Sequence, residues 1–133
     1  MREILFKAKT ISGNWVNGLL SNKDDKWYIS NKAGMPFAYD VRPETICQFT
    51  GLTDKNGKKI WENDILKTWD DQYAQVKFGL YNTGFASGDY NQGFYAAFPK
   101  DYYYRHELGY WFKESYVIGN IFDNPELLQE ERK

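Results

Sequence analysis

The chain has 133 residues, 42% of them hydrophobic and 26% charged, which suits one domain or two small, closely packed halves able to build a core of their own. Seventeen Lys and Arg against eighteen Asp and Glu leave a net charge of −1, so the global electrostatic footprint of a duplex nucleic-acid binder or an anionic-membrane binder is missing. One cysteine, Cys47, excludes an intrachain disulfide, and with one histidine, His106, it leaves too few ligands for a structural zinc site within one chain.

Taken in chain order, the early segments read as strands. The opening MREILFKAKT has no apolar run followed by a small-residue cleavage site, and no later stretch approaches the roughly 18 apolar residues of a membrane span. With the lone cysteine, this makes the cytoplasm the expected address. Glu3 to Ala8 is a short apolar run between charges, Asn14 to Leu20 follows a Ser12-Gly13 turn signal, and Ser21 to Asp25 reads as a polar loop. Trp27-Tyr28-Ile29, Phe37 to Val41 and Thr45 to Phe49 are rich in residues that favour strands, with Pro43 restricting the chain between the last two. No long apolar period of 3.6 residues interrupts this pattern.

The sharpest local signal is Asn56-Gly57 between two extended stretches. Both residues accept positive φ cheaply, which predicts a tight hairpin turn. Asn63 is a candidate for a second left-handed position, before the strand Ile65 to Trp69, and Ala74 to Phe78 forms the next strand. Residues 79–110 are an aromatic insertion punctuated by glycines, expected as hairpins and loops, with Phe94, Tyr95 and the run Tyr102-Tyr103-Tyr104-Arg105 among its side chains. Tyr110 to Phe112 and Ser115 to Ile118 look like closing strands. Asn124 can cap a short C-terminal helix whose first residue is Pro125, because proline lacks only an N–H that would be unpaired there. No internal repeat is visible, and the best candidate boundary is Arg42-Pro43-Glu44. The expected architecture is mainly β, with an N-terminal β subdomain over 1–44 and a second region over 45–133, packed as one unit.

Three segments carry a family resemblance: Met1 to Ile4; Arg42 to Ile65, with PETICQFTGLTDKNGKKIWENDI at its heart; and Val117 to Leu128, with VIGNIFDNPELL. The chain thereby resembles the YopX family of bacteriophage and prophage proteins. It departs from the family pattern at Asn63, where glycine is usual, and residues 79–110 match no motif of that family. The resemblance implies an SH3-like β-barrel from about residue 45 onward and a phage or prophage origin, hence a host bacterial cytoplasm. It implies no reaction. Its fixed residues look like turn and cap residues: Asp54, Asn56, Gly57, Asn63, Asp64, Gly119, Asn120, Asn124 and Pro125.

Asp54, Glu62 and Asp64 could hold a divalent cation or act as an acid/base pair, but an oxygen cage needs more ligands at tighter spacing, and short acidic side chains beside Asn-Gly more readily bond the backbone of their own turns. His106 has no Ser or Cys beside it, and the apolar neighbours Ile46 and Phe49 make Cys47 a small core residue. No P-loop, Gly-x-Gly-x-x-Gly, Cys-x-x-Cys or His-x-x-x-His occurs, so no metal, cofactor or catalytic residue is expected. The candidate interaction surface is Tyr102, Tyr103, Tyr104, Arg105, Phe94 and Tyr95, residue types that anchor protein interfaces. Trp61 and Trp69 are expected to fill the core. The function read from these features is a non-enzymatic phage or prophage accessory protein that binds a host or phage protein, with homo-oligomerisation open and no membrane partner. The two alternatives are a single-stranded nucleic-acid binder, disfavoured by the low positive charge, and an enzyme using Asp64, Glu62 or His106 as acid or base.

Overall fold

A computed structural model describes residues 4–30, 38–69, 71–82, 90–99 and 107–128. The chain divides into two compact units, Met1–Gly51 and Leu52–Lys133. The division falls inside a strand, whereas Arg42-Pro43-Glu44 leads into a 3-10 turn, Pro43–Thr45, within the first unit.

In the first unit, β1 (Phe6–Lys9), β2 (Trp15–Lys23), β3 (Lys26–Ser30), β4 (Tyr39–Asp40) and β5 (Cys47–Thr53) lie in the order β4-β3-β2-β1-β5, each neighbour antiparallel. Successive residues of a strand face opposite sides, so Phe6 and Ala8 join a core of Ala8, Ile29 and Val41 with Val16, Leu20, Trp27 and Ile46 packed against it. Lys7 and Lys9 take the other face, where their ammonium groups lie 4.7 and 5.5 Å from the Trp15 ring. β2 runs through Ser21-Asn22-Lys23, read from sequence as a loop, because each of these pairs with a residue of β3. The turn shrinks to Asp24-Asp25, with φ of 54° and 66°. Two successive positive φ values define the two-residue hairpin whose twist matches its strands.

The strand expected from Thr45 starts at Cys47 because Thr45 is engaged elsewhere. Its hydroxyl donates to Arg42 O at 2.7 Å and accepts the Lys9 N–H at 2.9 Å, which ties the 3-10 turn to the end of β1.

The second unit contains the end of β5, β6 (Lys59–Trp61), β7 (Asp64–Lys67), β8 (Tyr73–Asn82), β9 (Tyr90–Ala97), α1 (Leu108–Trp111) and β10 (Tyr116–Asn120). Four strands make an antiparallel sheet in the order β10-β7-β8-β9. Ile60, Leu66, Val76 and Leu108 form its core, with Leu52, Phe94, Phe112 and Val117 against them. Ala74 and Ala96 leave the space that the Trp111 indole occupies, its edge against Phe98 at 5.1 Å between ring centres. Tyr110 to Phe112, expected as strand, is therefore helix and 3-10 turn: Leu108 and Trp111 both reach the sheet, a spacing of three that a helix places on one face.

The fold is mainly β, but the described strands form open sheets and no closed barrel. The four-stranded order ends at β9, which continues alongside β8 through eight residue pairs, Gln75↔Ala97 to Asn82↔Tyr90. The C-terminal helix is, within the described residues, one 3-10 turn, Pro125–Leu128.

Three hairpin loops share one hydrogen-bond plan. Thr10, Asp54 and Thr68 each accept the N–H of the residue four places on with a side-chain oxygen, at 3.2, 2.9 and 3.1 Å. Each also donates its own N–H to the carbonyl of that residue, and each carbonyl accepts from the third residue on. That third residue is left-handed every time: Gly13, Gly57 and Asp71, with φ of 98°, 83° and 64°. A three-residue hairpin loop that ends on a left-handed residue has this bond pattern. The Asn56-Gly57 turn is thus wider than a two-residue hairpin, because Asp54 closes the loop from outside it.

Candidate functional site

Of the acidic motif, Asp54 and Asp64 bond backbone N–H groups, while Glu62 lies half-buried in the β6–β7 turn. Asp54 is buried, and Oδ1 accepts the N–H groups of Asn56 and Lys58, both at 2.9 Å, while Oδ2 accepts the Val117 N–H at 2.8 Å. One carboxylate thereby closes its own loop and pins β10 to it, 63 residues along the chain. Asp64 is buried too, and its Oδ2 accepts the Trp61 N–H at 2.8 Å across the β6–β7 turn. Asn63 sits in that turn at φ 72°. Its N–H donates to Val76 O at 2.7 Å, its carbonyl accepts from Ile121, and its Oδ1 accepts the Gln75 amide at 3.0 Å. Asn supplies the left-handed turn and adds a side-chain bond to β8 that glycine could not make. Both Asp54 oxygens and Asp64 Oδ2 accept peptide N–H groups, and among the described residues no group of three His, Cys, Asp or Glu could hold a metal ion.

The C-terminal motif is a second lock. The register of β10 on β7 shifts between Val117 and Gly119, and a Cβ on Gly119 would sit 2.8 Å from Cγ of Asn124. Glycine is required there because the Asn124 side chain lies over it. Asn124 Oδ1 accepts the Asn120 N–H at 3.2 Å, so this side chain turns back onto β10. Asn120 Oδ1 accepts from Phe122 and Asp123, both at 2.9 Å, and the Leu127 N–H reaches the Asn124 carbonyl. Pro125 opens the 3-10 turn that follows.

Of the candidate surface, Tyr102, Tyr103, Tyr104 and Arg105 lie outside the described residues, as does His106. Cys47 is buried, its thiol donating to Thr45 O at 3.3 Å. Phe94 and Tyr95 are half-buried on β9 within the ribbon formed with β8. Phe94 meets Phe78 edge-on at 4.9 Å. On the opposite face Tyr95 lies 5.6 Å from Tyr81, and the two rings cover Gly79 and Gly93, each 3.9 Å from where a Cβ would stand. Aromatic cover of paired glycines restores the packing those positions lack. β7 pairs with β8 only through Gln75, and β9 gains one further bridge, Tyr95 to Glu107; past that point the described residues of the ribbon, Phe78 to Asn82 and Tyr90 to Phe94, form a two-stranded arm.

The sequence reading missed three residues that the structure exposes. Phe78 is 51% exposed and Leu80 68%, on the apolar face of the arm. Trp69, expected in the core, is 63% exposed because it occupies the second position of the Thr68 loop, outside the sheet. The alternation Val76-Lys77-Phe78-Gly79-Leu80-Tyr81 was the available signal for the arm, since it prolongs a strand past the point where the core can cover it.

The family model described as YopX protein matches residues 7–129. The chain belongs to the YopX family. Its quoted blocks coincide with the two locks: Asp54, Asn63 and Asp64 in the first, Gly119, Asn120 and Asn124 in the second. The YopX pattern in this chain thus records backbone geometry. Among solved structures, the chain is similar to protein EF1440 from Enterococcus faecalis, with a TM-score of 0.51 and 21% identity over 97% of this chain and 100% of that one. At that identity the likeness shows the fold alone. No curated protein matches the chain.

Proposed function

We propose that this YopX protein is a non-enzymatic phage or prophage accessory protein of the host cytoplasm that uses the β8–β9 arm to bind a host or phage protein. The observation that carries the reading is the tyrosine face of the arm, with Tyr81 and Tyr95 held over two glycines beside exposed Lys77 and Asn91. Rigid tyrosines beside adaptable polar groups give contact area at low entropic cost. Asp54 spends both carboxylate oxygens, and Asp64 its Oδ2, on backbone N–H donors, which argues against an acid/base role for these two residues. No helix among the described residues is long and apolar enough to cross a membrane. The second unit is best read as an opened relative of the SH3-like barrel, since Ile60 of the β5–β6 hairpin packs against Leu66 and Val76 of the four-stranded sheet.

The test is a photo-crosslinking residue at Asn91, with the same residue at exposed Asn22 as control, in cells carrying the phage genes. A discrete adduct with one host or phage protein from position 91 alone is expected. Identical adducts from both positions, or none, would refute the reading.

A second reading rests on Trp15 flanked by Lys7 and Lys9, an aromatic-cationic set of the kind that stacks single-stranded bases. It predicts salt-sensitive quenching of tryptophan fluorescence by single-stranded DNA or RNA that Trp15→Leu removes. Unchanged fluorescence at low salt would dismiss it.

A further inference from the structure

Asn-Gly occurs twice in the chain, at Asn17-Gly18 and Asn56-Gly57. An asparagine before glycine carries a latent reaction, because the glycine nitrogen, with no side chain beside it, can attack the asparagine side-chain carbon. At the second site the new bond is Gly57 N to Asn56 Cγ. The Cγ–Nδ2 bond breaks, and the Gly57 amide proton leaves with Nδ2 as ammonia. Water then opens the cyclic imide to aspartate or isoaspartate, so no oxidant or cofactor is needed. The sequence makes the two sites equal, and the fold separates them.

Asn17 is exposed, but Gly18 is buried within β2, where the two residues pair with Lys7 and Phe6 of β1. The Gly18 nitrogen can turn on its neighbour only if the β1–β2 ladder comes apart. Asn56 and Gly57 are both exposed in the Asp54 loop, and no atom outside its chain neighbours lies within 4 Å of where a Cβ of Gly57 would stand. The restraint on them is the hydrogen bonding of the loop itself. The Gly57 N–H donates to Asp54 O at 2.9 Å, and Asp54 Oδ1 accepts the N–H groups of Asn56 and Lys58 on either side, both at 2.9 Å. Rotation about the Asn56 Cα–C bond, which brings Gly57 N to Cγ, carries the Gly57 and Lys58 N–H groups away from these acceptors. Reaction and closed loop therefore exclude each other, and a short exposed loop opens more often than a strand inside a sheet. We propose that Asn56 is the residue at which this protein deamidates first, and that the Asp54 carboxylate sets the rate by keeping the loop shut. The isoaspartyl product threads the β-carbon of residue 56 into the main chain, so the loop that Asp54 spans becomes one atom longer and gains a carboxylate.

Peptide mass mapping after incubation at neutral pH tests the proposal, since cleavage after glutamate puts the two sites on separate fragments, 4–44 and 45–62. In urea both sites should convert at similar rates. In folded wild type Asn56 should convert roughly tenfold or more faster than Asn17, as local opening outpaces the loss of a strand. Asp54→Ala should speed conversion of Asn56 by about tenfold or more, since two loop donors lose their acceptor. Gly119→Ala disturbs the same unit from β10 and should leave the Asn56 rate unchanged, which separates the loop from general stability. Should Asp54→Ala not fold, hydrogen exchange at the Lys58 N–H in wild type gives the open fraction of the loop, and the native Asn56 rate should equal the urea rate multiplied by that fraction. Asn17 converting as fast as Asn56 in the folded chain, Asp54→Ala changing nothing, Gly119→Ala matching Asp54→Ala, or a native rate many times above that product would each overturn the proposal.

Discussion

The β1–β2 and β7–β8 hairpins are built alike and end differently. Each begins with a four-residue strand, closes on a threonine loop of the same plan, and continues into a long strand. β2 passes from β1 to β3 at Gly18 and Leu19, so its inward residues Val16 and Leu20 join the core. β8 passes from β7 to β9 at Gln75, and among the described residues only the Tyr95–Glu107 bridge extends that ribbon, so Phe78 and Leu80 are more than half exposed. Loop chemistry is thus local, while burial depends on what the long strand meets after the loop. The Asp54 loop adds a variation: a carboxylate does the work of the threonine hydroxyl with one oxygen and holds β10 with the other.

That comparison can be broken at several points. The largest effect is expected for Asp54→Ala, which strands three backbone donors and should cost about 3–5 kcal/mol in urea unfolding, since each unsatisfied buried group costs roughly 1–3. Asp54→Thr should recover roughly half, because a hydroxyl can close the loop but cannot also reach Val117. Equal losses for the two variants would show that the reach to β10 carries everything. Next comes Gly119→Ala, with an expected cost of about 2–3 kcal/mol from overpacking against Asn124. The double variant with Asn124→Gly should cost less than the sum of the single changes, because it removes the obstruction, and strict additivity would place the strain elsewhere.

The equivalence of the threonine loops predicts that Thr10→Val and Thr68→Val each cost about 1 kcal/mol, the worth of one local hydrogen bond set. A loss at one site only would mean that the two loops are alike in shape but not in energetics. The smallest effect belongs to the arm. Leu80→Ser should stay within about 0.5 kcal/mol of wild type, as exposed substitutions do. A much larger loss would place Leu80 in a core.

The positions of turns were legible because glycine, asparagine, aspartate and proline act through their own backbone preferences. Gly57 and Asn63 take positive φ for that reason. What Asp54 bonds was only half legible: its own loop lies within four residues, but Val117 comes near only after β10 has paired with β7. The glycine at 119 was a recognisable family residue with no visible cause, because the cause is a side chain brought over it by the turn after β10. Trp69 was misplaced because hydrophobicity says that an indole prefers burial, not which side of a loop it will occupy.

By itself, then, the sequence determined the mainly β class, the family and the punctuation of the chain, all properties of single residues and short spacings. The tertiary structure alone decided that the described strands stay in open sheets, that Tyr110 to Phe112 coils into a helix so that Leu108 and Trp111 reach one surface, and that the β8–β9 ribbon outruns β7. The physical reason is common to all three. Strand pairing and burial are settled by residues far apart in the chain, and no local preference specifies which partner a strand will lack.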